Sequence, residues 1–464
     1  MEQQTLAAVI LAAGQGTRMK SSRPKVLHPL AGRPMVAFPL GLAEELGCDP
    51  TVLVVGHGAD RVREAMAERN CLFVEQRQQL GTGHALLCAG EALAGFSGDL
   101  LLLCGDVPLL RTATLRGLLD LHRRQQALVT VLTAHMEDPT GYGRIVRDAE
   151  GSVQAIVEEK DASEAQRALH EVNTGIYLFR APFVFEVLAG LGCDNAQGEY
   201  YLTDVVAAAV DAGGRVCALQ LTDAEEAMGV NDRRQLAVAE AVLRRRINEA
   251  LMRSGVGMTD PQATYVDAGV EIGPDTQLLP GTVIRGATRI GAGCTIGPHV
   301  VIDNCRIADN VRIKAGSVLA ESEVGPETDI GPMAHLRPGT VLAGENKIGN
   351  FVETKKAQIG RGSKASHLTY LGDCELGTGV NIGCGTITCN YDGVNKYRTV
   401  IEDDVFVGSD TQFIAPVTIG RNSLIGAGST ITKDVPPDSL ALSRAEQKVI
   451  EGWRLRRRKK RKNG

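Results

Sequence analysis

Two groups of polar residues have the types and spacing that chemistry requires, and the first lies near the N-terminus. The segment Val9-Ile-Leu-Ala-Ala-Gly-Gln-Gly-Thr-Arg-Met19 reads as a buried strand that ends in a glycine-containing turn at the start of a helix. Gly14 and Gly16 admit positive φ and let backbone N–H groups approach a phosphate, and Arg18 and Lys25 add cations. Tight strand–helix turns use glycine without binding anything, so the two cations carry the prediction of a nucleotide site.

A carboxylate follows the apolar run Leu100–Cys104, and it is a candidate metal ligand. Asp106 could be a helix cap or turn residue, but ligands bind at strand ends in open α/β sheets. There it could hold Mg²⁺, which takes one or two protein ligands and bridges phosphates. Asn231 is either a second ligand or an N-cap.

The loop Gln76–His84 supplies amides suited to reading a pyrimidine edge. Groups that could bind sugar hydroxyls occur in Thr140–Arg144, at Glu158 and in Glu171–Gly175.

The second group lies between Arg337 and Asn381, where the sequence includes one histidine among lysines. Histidine exchanges a proton near neutral pH, which suits a general base. A lone histidine is ordinarily structural, but His367 shares a short polar interruption of a repeat with three cations. These cations could equally be solvated surface; they are Lys355, Lys356 and Lys364.

The elements that must position the second group repeat every six residues. From Ile272 an aliphatic residue returns at Leu278, Ile284, Ile290, Ile296 and Ile302. A period of six fits neither a helix nor a simple hairpin array, and it is typical of a parallel β-helix. The aliphatic residue points into the core, and the Gly, Asp or Asn that follows lets the chain bend. The repeat fills about 264–435, or nine or ten turns, and its break holds the polar stretch Cys389–Arg398, which we expect as a loop on the binding side.

Strand and helix signals alternate over residues 5–230, and they must position the first group. Helical stretches such as Met35–Leu46 and Asp60–Glu68 separate the buried strands, so we expect a mostly parallel sheet with helices on both faces. A single helix over Asp232–Met252 then connects to the repeat. The predicted domains are 1–233, a linker helix at 234–254, and 255–464. The predicted strands are Ala7–Ala12, Val52–Val55, Leu100–Cys104, Leu128–Leu132 and Gly175–Phe179.

Composition restricts the possible partners and compartment. The 464 residues carry a net charge of −5, which gives no general reason to expect nucleic acid; the basic tail Arg454–Lys462 reads as solvated and disordered. Eleven cysteines, without a C-x-x-C pair, favour reduced thiols in the cytoplasm. The chain runs from Glu2 straight into a strand, so no signal peptide is expected. No apolar run reaches the ~18 residues of a membrane span.

The whole set of motifs, from about Thr5 to Trp453, closely resembles a bacterial bifunctional family. Its members are N-acetylglucosamine-1-phosphate uridyltransferases and glucosamine-1-phosphate acetyltransferases. The resemblance implies that a Rossmann-like nucleotidyltransferase domain uses UTP and Mg²⁺, and that a left-handed β-helix uses acetyl-CoA. Left-handed coils are an exception to the usual right-handed crossover. It also implies a homotrimer that shares acetyl-CoA sites between subunits, while the composition gives no sign of a nucleic-acid or membrane partner and favours the cytoplasm.

The resemblance assigns residues to the first site. Leu11, Ala12, Ala13, Gly14 and Lys25 would bind the nucleotide phosphates, and Arg18 is assigned as a further catalytic residue. Gln76, Gly81 and Thr82 would bind the uracil. Cys104 and Gly105 would make further substrate contacts. Gly143, Glu158 and Asn173 would bind the acetylated sugar. Mg²⁺ would be held by Asp106 and Asn231. Cys104 departs from the family, which commonly has tyrosine there.

The resemblance assigns residues to the second site as well. His367 is the base that deprotonates the sugar amine as it attacks the acetyl thioester. Glucosamine 1-phosphate would bind Arg337, Lys355, Tyr370 and Asn381, with Asn390 and Tyr391 holding the acceptor and the acetyl group. The acetyl-CoA groove would be lined by Cys384, Ser409, Ala427 and Arg444. Cys384 replaces a residue that is usually smaller.

Two other functions fit parts of the sequence. The first is a nucleotidyltransferase for glucose 1-phosphate whose β-helix only regulates or assembles; it would share Gly14–Arg18 but lack the His367–Tyr370 phrase. The second is a scaffold without catalysis, in which Lys25, Asp106 and His367 would be idle.

Overall fold

The computed structural model describes residues 5–462, and the chain divides into two compact units, Met1–Arg244 and Arg245–Gly464. The division falls inside the helix Arg233–Arg253. The division at residue 244 does not test the predicted domain boundaries at residues 233 and 254, which stay predictions. Across residues 5–462, no helix combines the length and the apolar character needed to span a membrane.

The first unit is built on a mixed sheet whose central strands are parallel. Leu6–Ala12 pairs in parallel with Asp99–Cys104 on one side and with Thr51–Val55 on the other. Only Glu171–Arg180 in the main path runs antiparallel to its neighbours. In spatial order the strands are Val216–Gln220, Val129–His135, Glu171–Arg180, Asp99–Cys104, Leu6–Ala12, Thr51–Val55 and Leu72–Glu75, with Arg144–Arg147 and Val153–Val157 branching from Glu171–Arg180.

Buried residues alternate between the two faces of this sheet, so each face has its own core. Val9 and Leu102 belong to one core, and Ile10 and Leu103 belong to the other. Both cores are covered, which confirms the predicted α/β class with helices on both faces. The helices are Ala37–Glu45, Ala59–Ala65, Thr82–Cys88, Thr112–Arg124, Glu164–Arg167, Ala181–Gly190 and Asp204–Asp211, with 3₁₀ turns at Thr17–Met19, Lys25–Leu27 and Ala224–Ala227.

The second unit is a parallel β-helix in which each strand pairs with the strand one coil later. Ile290 pairs with Ile307, and Ile296 pairs with Ile313. The periodic aliphatics stack in a single core, as predicted. The strands before the site are Gly257–Met258, Tyr265–Val266, Glu271–Ile272, Gln277–Leu278, Val283–Arg285, Arg289–Ile290, Thr295–Ile296, Val301–Asp303, Arg306–Ile307, Arg312–Ile313, Val318–Ala320, Glu323–Val324, Asp329–Ile330, His335–Leu336 and Val341–Leu342. A 3₁₀ turn spans Pro261–Ala263. The remaining strands are Lys347–Lys355, Gln358–Ile359, Lys364–Gly372, Cys374–Leu376, Asn381–Ile382, Ile387–Cys389, Thr399–Ile401, Phe406–Val407, Gln412–Ile414, Val417–Ile419, Leu424–Ile425, Thr430–Ile431 and Leu440–Ala441.

The glycine after most of the periodic aliphatic residues has a different role from the one predicted, although Gly331 does adopt positive φ, at 89°. Gly291 does not adopt positive φ; a Cβ there would lie 2.7 Å from the carbonyl carbon of Ala308 in the next coil. The left-handed residue comes two positions later, at Gly293, with φ of 66°. The first glycine therefore permits close stacking of coils, and the second permits the bend.

His367 does not lie in an interruption of the repeat, contrary to the prediction. It belongs to the strand Lys364–Gly372, which pairs along its length with Lys347–Lys355. Each of these nine-residue strands turns a corner at one residue with positive φ, Phe351 at 56° and Leu368 at 40°. The long strands carry the site through the coil without breaking it. The polar stretch at 391–398 is exposed, as expected for an ejected loop.

Two helices complete the chain. Arg233–Arg253 buries Ala239 and Val242 in the first unit, and its later residues Ile247 and Leu251 pack against the core of the second. The tail predicted as disordered instead forms the helix Trp453–Lys462.

Candidate functional site

A cavity of about 310 Å³ in the first unit gathers most of the residues predicted for the first site. The predicted residues that line it are Leu11, Ala12, Ala13, Gly14, Lys25, Gln76, Gly81, Thr82, Cys104 and Asp106. The sequence reading missed four others, which are Val26, Gln79, Ala85 and Glu199. Gln79 could have been found, since it lies in the predicted amide loop, but Glu199 is brought there only by the tertiary fold.

Lys25, Asp106 and Asn231 meet at one point of the first unit. The Lys25 Nζ lies 2.5 Å from Asp106 Oδ2 and 3.1 Å from Asn231 Oδ1. The backbone N–H of Val230 donates to the Asp106 carbonyl at 2.8 Å, which holds the Asn231 segment beside Asp106. Two protein oxygens therefore converge on a cation. This arrangement fits Mg²⁺, which takes few protein ligands and completes its shell with water and phosphate oxygens.

The loop beside this point differs in detail from its prediction. Gly16 has φ of 63°, whereas Gly14 does not adopt positive φ. A Cβ on Gly16 would lie 2.6 Å from the Lys25 Cβ, and one on Gly14 would meet nothing within 4 Å. The loop leads into the 3₁₀ turn Thr17–Met19 rather than an α-helix. Gly16 thus packs against the lysine, and Gly14 leaves room in the cavity.

Arg18 stands apart from the other predicted residues of the first site. Its side chain is exposed, and it is not among the residues that line the cavity. Gly105 is likewise not among the lining residues, but its N–H donates to the carbonyl of Leu11, which is one of them, at 2.8 Å.

The three residues predicted for the acetylated sugar lie together. A Cβ on Gly143 would be 3.6 Å from both the Asn173 Cβ and Glu158 Oε2. The pKa of Glu158 is raised above its ordinary value, chiefly because the carboxyl is buried. A hydrogen bond from Thr203 offsets part of this increase. Cys104 lines the first cavity, and its thiol lies 3.6 Å from the carbonyl of Gly175, which belongs to the same strand as Asn173. Burial raises the pKa of Cys104 to about 12, so the thiol stays protonated at neutral pH.

Cations cluster in the second unit, where a sugar phosphate was predicted. The ammonium groups of Lys355 and Lys396 lie close enough that Lys396, with a smaller effect from Arg337, lowers the pKa of Lys355. Arg337 Nη1 pairs with Glu353 Oε1 at 2.7 Å. Like charges held together favour an anion between them. Lys396 was not predicted, because it lies 41 positions along the chain from Lys355.

His367, Tyr370 and Asn381 belong to adjoining strands beside these cations. His367 is exposed and is paired in register with Asn350. Tyr370 follows on the other side of the corner at Leu368, paired with Glu353. Asn381 pairs with Lys364 in the next coil.

The residues predicted for acetyl-CoA form an exposed row across successive coils. The Asp410 N–H donates to the Cys384 carbonyl, and the Gly428 N–H donates to the Ser409 carbonyl, at 2.7 and 2.8 Å. Arg444 reaches the same edge, where its Cδ lies 3.8 Å from the position of a Cβ on Gly428. The exposed residues of this row are Cys384, Ser409, Ala427 and Arg444.

Asn390 and Tyr391 begin the ejected loop. Asn390 Nδ2 donates to Asp373 Oδ2 at 2.5 Å and is nearly buried, so it anchors the loop to the β-helix. Tyr391 is 59% exposed, and its hydroxyl donates to the Gly393 carbonyl.

An α/β unit with a cationic cavity at its strand ends, joined to a hexad β-helix with a second cationic site, defines a two-part transferase. Family models agree. Residues 8–172 match the MobA-like NTP transferase domain, 263–360 match the GMPPB C-terminal domain, and 398–433 match the bacterial transferase hexapeptide of six repeats. The hexapeptide match accords with a left-handed β-helix.

Relatives match along the whole chain. Proteins named bifunctional protein GlmU are 67% identical in Syntrophotalea carbinolica, covering 100% of both chains, and 57% identical in Geotalea daltonii, covering 97% of this chain and 99% of the relative. A third, from an Exiguobacterium species, is 50% identical over 97% of this chain and 99% of its own. The chain belongs to the GlmU family of bifunctional proteins.

Proposed function

We propose that the two units house two separate active sites of one enzyme. The enzyme acetylates glucosamine 1-phosphate with acetyl-CoA and then transfers UMP from UTP to N-acetylglucosamine 1-phosphate, which gives UDP-N-acetylglucosamine and pyrophosphate. The observation that carries the proposal is the convergence of Lys25, Asp106 and Asn231 beside the cavity lined by the glycine loop.

In the first unit, a phosphate oxygen of the sugar attacks the α-phosphorus of UTP in line, and pyrophosphate leaves. This chemistry depends on positioning and charge neutralisation more than on proton transfer. Lys25 and Arg18 bind the phosphates, with the backbone of Leu11–Gly14 and Gly105 beside them. Gln76, Gly81 and Thr82 hold the uracil, and Gly143, Glu158 and Asn173 hold the acetylated sugar.

Asp106 and Asn231 would hold Mg²⁺, since their side-chain oxygens converge 2.5 and 3.1 Å from the Lys25 ammonium. When bound, the ion supplies positive charge that neutralises the phosphates. Cys104 lies beside the strand that carries Asn173 and keeps a neutral thiol.

In the second unit, the amine nitrogen of glucosamine 1-phosphate attacks the thioester carbonyl of acetyl-CoA. The C–N bond forms, the C–S bond breaks, CoA leaves, and His367 takes the proton from the nitrogen. The sugar phosphate binds Arg337, Lys355 and Tyr370, whose neighbourhood is rich in cations. Asn381, Asn390 and Tyr391 hold the acceptor and the acetyl group, and acetyl-CoA lies along Cys384, Ser409, Ala427 and Arg444.

The enzyme works as a homotrimer in the cytoplasm. The exposed row of acetyl-CoA residues and the exposed apolar corner side chains of Met333, Phe351 and Leu368 support packing against further copies. Eleven free thiols support a reducing compartment. Light scattering should give a mass three times that of one chain, and a monomer would contradict the trimer.

A product assay tests the function directly. Incubation with glucosamine 1-phosphate, acetyl-CoA, UTP and Mg²⁺ should yield UDP-N-acetylglucosamine, CoA and pyrophosphate. In thermal-shift experiments, UTP with Mg²⁺ and acetyl-CoA alone should each stabilise the protein. A response to UTP without one to acetyl-CoA would favour a single-function nucleotidyltransferase, and no response to either would favour a scaffold.

A further inference from the structure

The amide of Gln76 is held in one orientation at the wall of the first cavity. Its Nε2 lies 3.1 Å from the Gly81 carbonyl and 3.1 Å from His84 Nδ1. A primary amide nitrogen has two N–H donors, and these two acceptors use both. The opposite orientation would set Oε1 against the Gly81 carbonyl oxygen, which cannot donate. The acceptor Oε1 of Gln76 is therefore left for a ligand.

His84 must accept this hydrogen bond, since the amide nitrogen can only donate. Nδ1 of His84 is therefore unprotonated while the contact is made, and a neutral ring carries its proton on Nε2. The ring lies in the first turn of the helix Thr82–Cys88, at a centroid distance of 6.2 Å from the Tyr200 ring. The same segment is tied to Tyr200 by the Gly83 N–H, which donates to the Tyr200 carbonyl at 2.9 Å. His84 is thus fixed from two directions.

We propose that His84 is a positioning residue that, together with the Gly81 carbonyl, fixes the Gln76 amide and thereby makes the site select uracil over cytosine. The proposal rests on the proposed uridylyl transfer and on the contact of Gln76 with the base. Uracil carries a donor at N3, which suits the free Oε1 of Gln76. Cytosine has an acceptor at N3, which would face Oε1 without a proton between them. Rotation of the amide would reverse this preference, but it would also set Oε1 against the Gly81 carbonyl and remove the donor that His84 Nδ1 accepts.

Two substitutions of similar volume separate the hydrogen bond from packing. His84→Leu removes the acceptor and leaves one buried donor of Gln76 unpaired, whereas His84→Asn can place Oδ1 where Nδ1 was. His84→Leu should raise the KM for UTP about tenfold with kcat within about twofold, because the lost interaction serves binding in both ground and transition states. The ratio of kcat/KM for CTP to that for UTP should rise about tenfold. His84→Asn should keep both quantities within about threefold of the unsubstituted protein.

The controls separate this inference from the proposed function. Acetyl transfer, measured in each variant, reports whether the protein is folded. Gln76→Leu should lower kcat/KM for UTP by at least as much as His84→Leu does. If Gln76→Leu impairs UTP use while His84→Leu leaves the CTP to UTP ratio unchanged, or His84→Asn is as impaired as His84→Leu, the role of His84 is wrong and uridylyl transfer stands. If Gln76→Leu changes nothing, the uracil contact itself is wrong and the inference fails with it.

Discussion

The two units of this chain position reactive residues in contrasting ways. The first encloses a cavity at the ends of parallel strands, where loops bring Lys25, Asp106 and Asn231 to one point from distant parts of the sequence. The second places His367 and its neighbours on exposed strands that continue the coil. A site built from loops can therefore be complete within one unit. A site displayed along a repeat presents its groups outward, where another molecule can cover them.

The largest expected effect concerns the only proton transfer that we propose. His367→Asn should reduce acetyl transfer by about 10²–10⁴-fold, which is the usual contribution of a positioned general base. Uridylyl transfer should stay within about twofold, because that site lies in the other unit. Separate assays of CoA release and pyrophosphate release measure the two reactions. His299→Asn is the matched control, since His299 is an exposed histidine of the same β-helix with φ of 56°, which asparagine tolerates. An equal loss of acetyl transfer in both variants would show that His367 is not the general base.

The reciprocal substitution acts on the first unit. Asp106→Asn keeps the size of the side chain but removes the charge that pairs with Lys25 and would hold Mg²⁺, so uridylyl transfer should fall by about 10²–10³-fold. Acetyl transfer should be preserved. Asp60→Asn serves as the control, because the Asp60 side chain is 98% exposed in the same unit. A loss of acetyl transfer in a folded Asp106→Asn protein would contradict the separation of the two sites.

A smaller effect tests whether the paired ammonium groups bind the sugar phosphate. Lys396→Met should raise the KM for glucosamine 1-phosphate about tenfold with little change in kcat, because phosphate binding is shared by ground and transition states. Lys347→Met removes an exposed cation at the opposite end of the strand that contains Lys355 and should change neither constant. An unchanged KM in Lys396→Met would exclude this lysine from the phosphate site.

The same substitution predicts a direction for the pH dependence. Lys396 lowers the pKa of Lys355, so the Lys355 ammonium loses its proton at a lower pH than an isolated lysine does. Removing Lys396 should therefore raise the pKa of Lys355 and move the alkaline limb of acetyl-acceptor binding to higher pH. The KM for glucosamine 1-phosphate, measured across the alkaline range, checks the shift. Movement of the limb to lower pH would contradict the assigned cause.

The smallest expected effect is a difference in stability between alanine substitutions at one glycine of each unit. Gly291→Ala should destabilise the β-helix by about 1–3 kcal/mol, because its Cβ would press on the next coil's backbone. Gly14→Ala should leave stability within about 0.5 kcal/mol, since that Cβ meets nothing within 4 Å, yet it should weaken UTP binding by filling the cavity. Chemical denaturation and UTP titration measure the two quantities. Equal stabilities of the two variants would contradict this contrast.

The features predicted best from the sequence were the six-residue repeat of the second unit and the buried central strands of the first. A six-residue aliphatic period specifies a parallel β-helix because every coil must bury the same position, and long apolar runs specify the central strands. The edge strands Leu72–Glu75 and Val216–Gln220 were not predicted, since they are only partly buried and carry a weaker pattern.

Within the sites, the outcome depended on distance along the chain. Gly14 and Lys25 share one local motif and line one cavity, as expected. The approach of Lys396 to Lys355 and of Glu199 to the cavity depends on how loops return to the core, which no local pattern encodes. The contact of His84 with Gln76 needs both a strand end and the following helix turn to be placed.

The central claim is that two independent sites share one polypeptide. The most direct measurement mixes equal amounts of the Asp106→Asn and His367→Asn proteins with glucosamine 1-phosphate, acetyl-CoA, UTP and Mg²⁺, and follows the UDP-sugar. Each variant alone should form it slowly, and the mixture should recover a rate within a few-fold of the unsubstituted protein, because the acetylated intermediate diffuses from one site to the other. A mixture no faster than the variants alone, with both proteins folded, would contradict the claim.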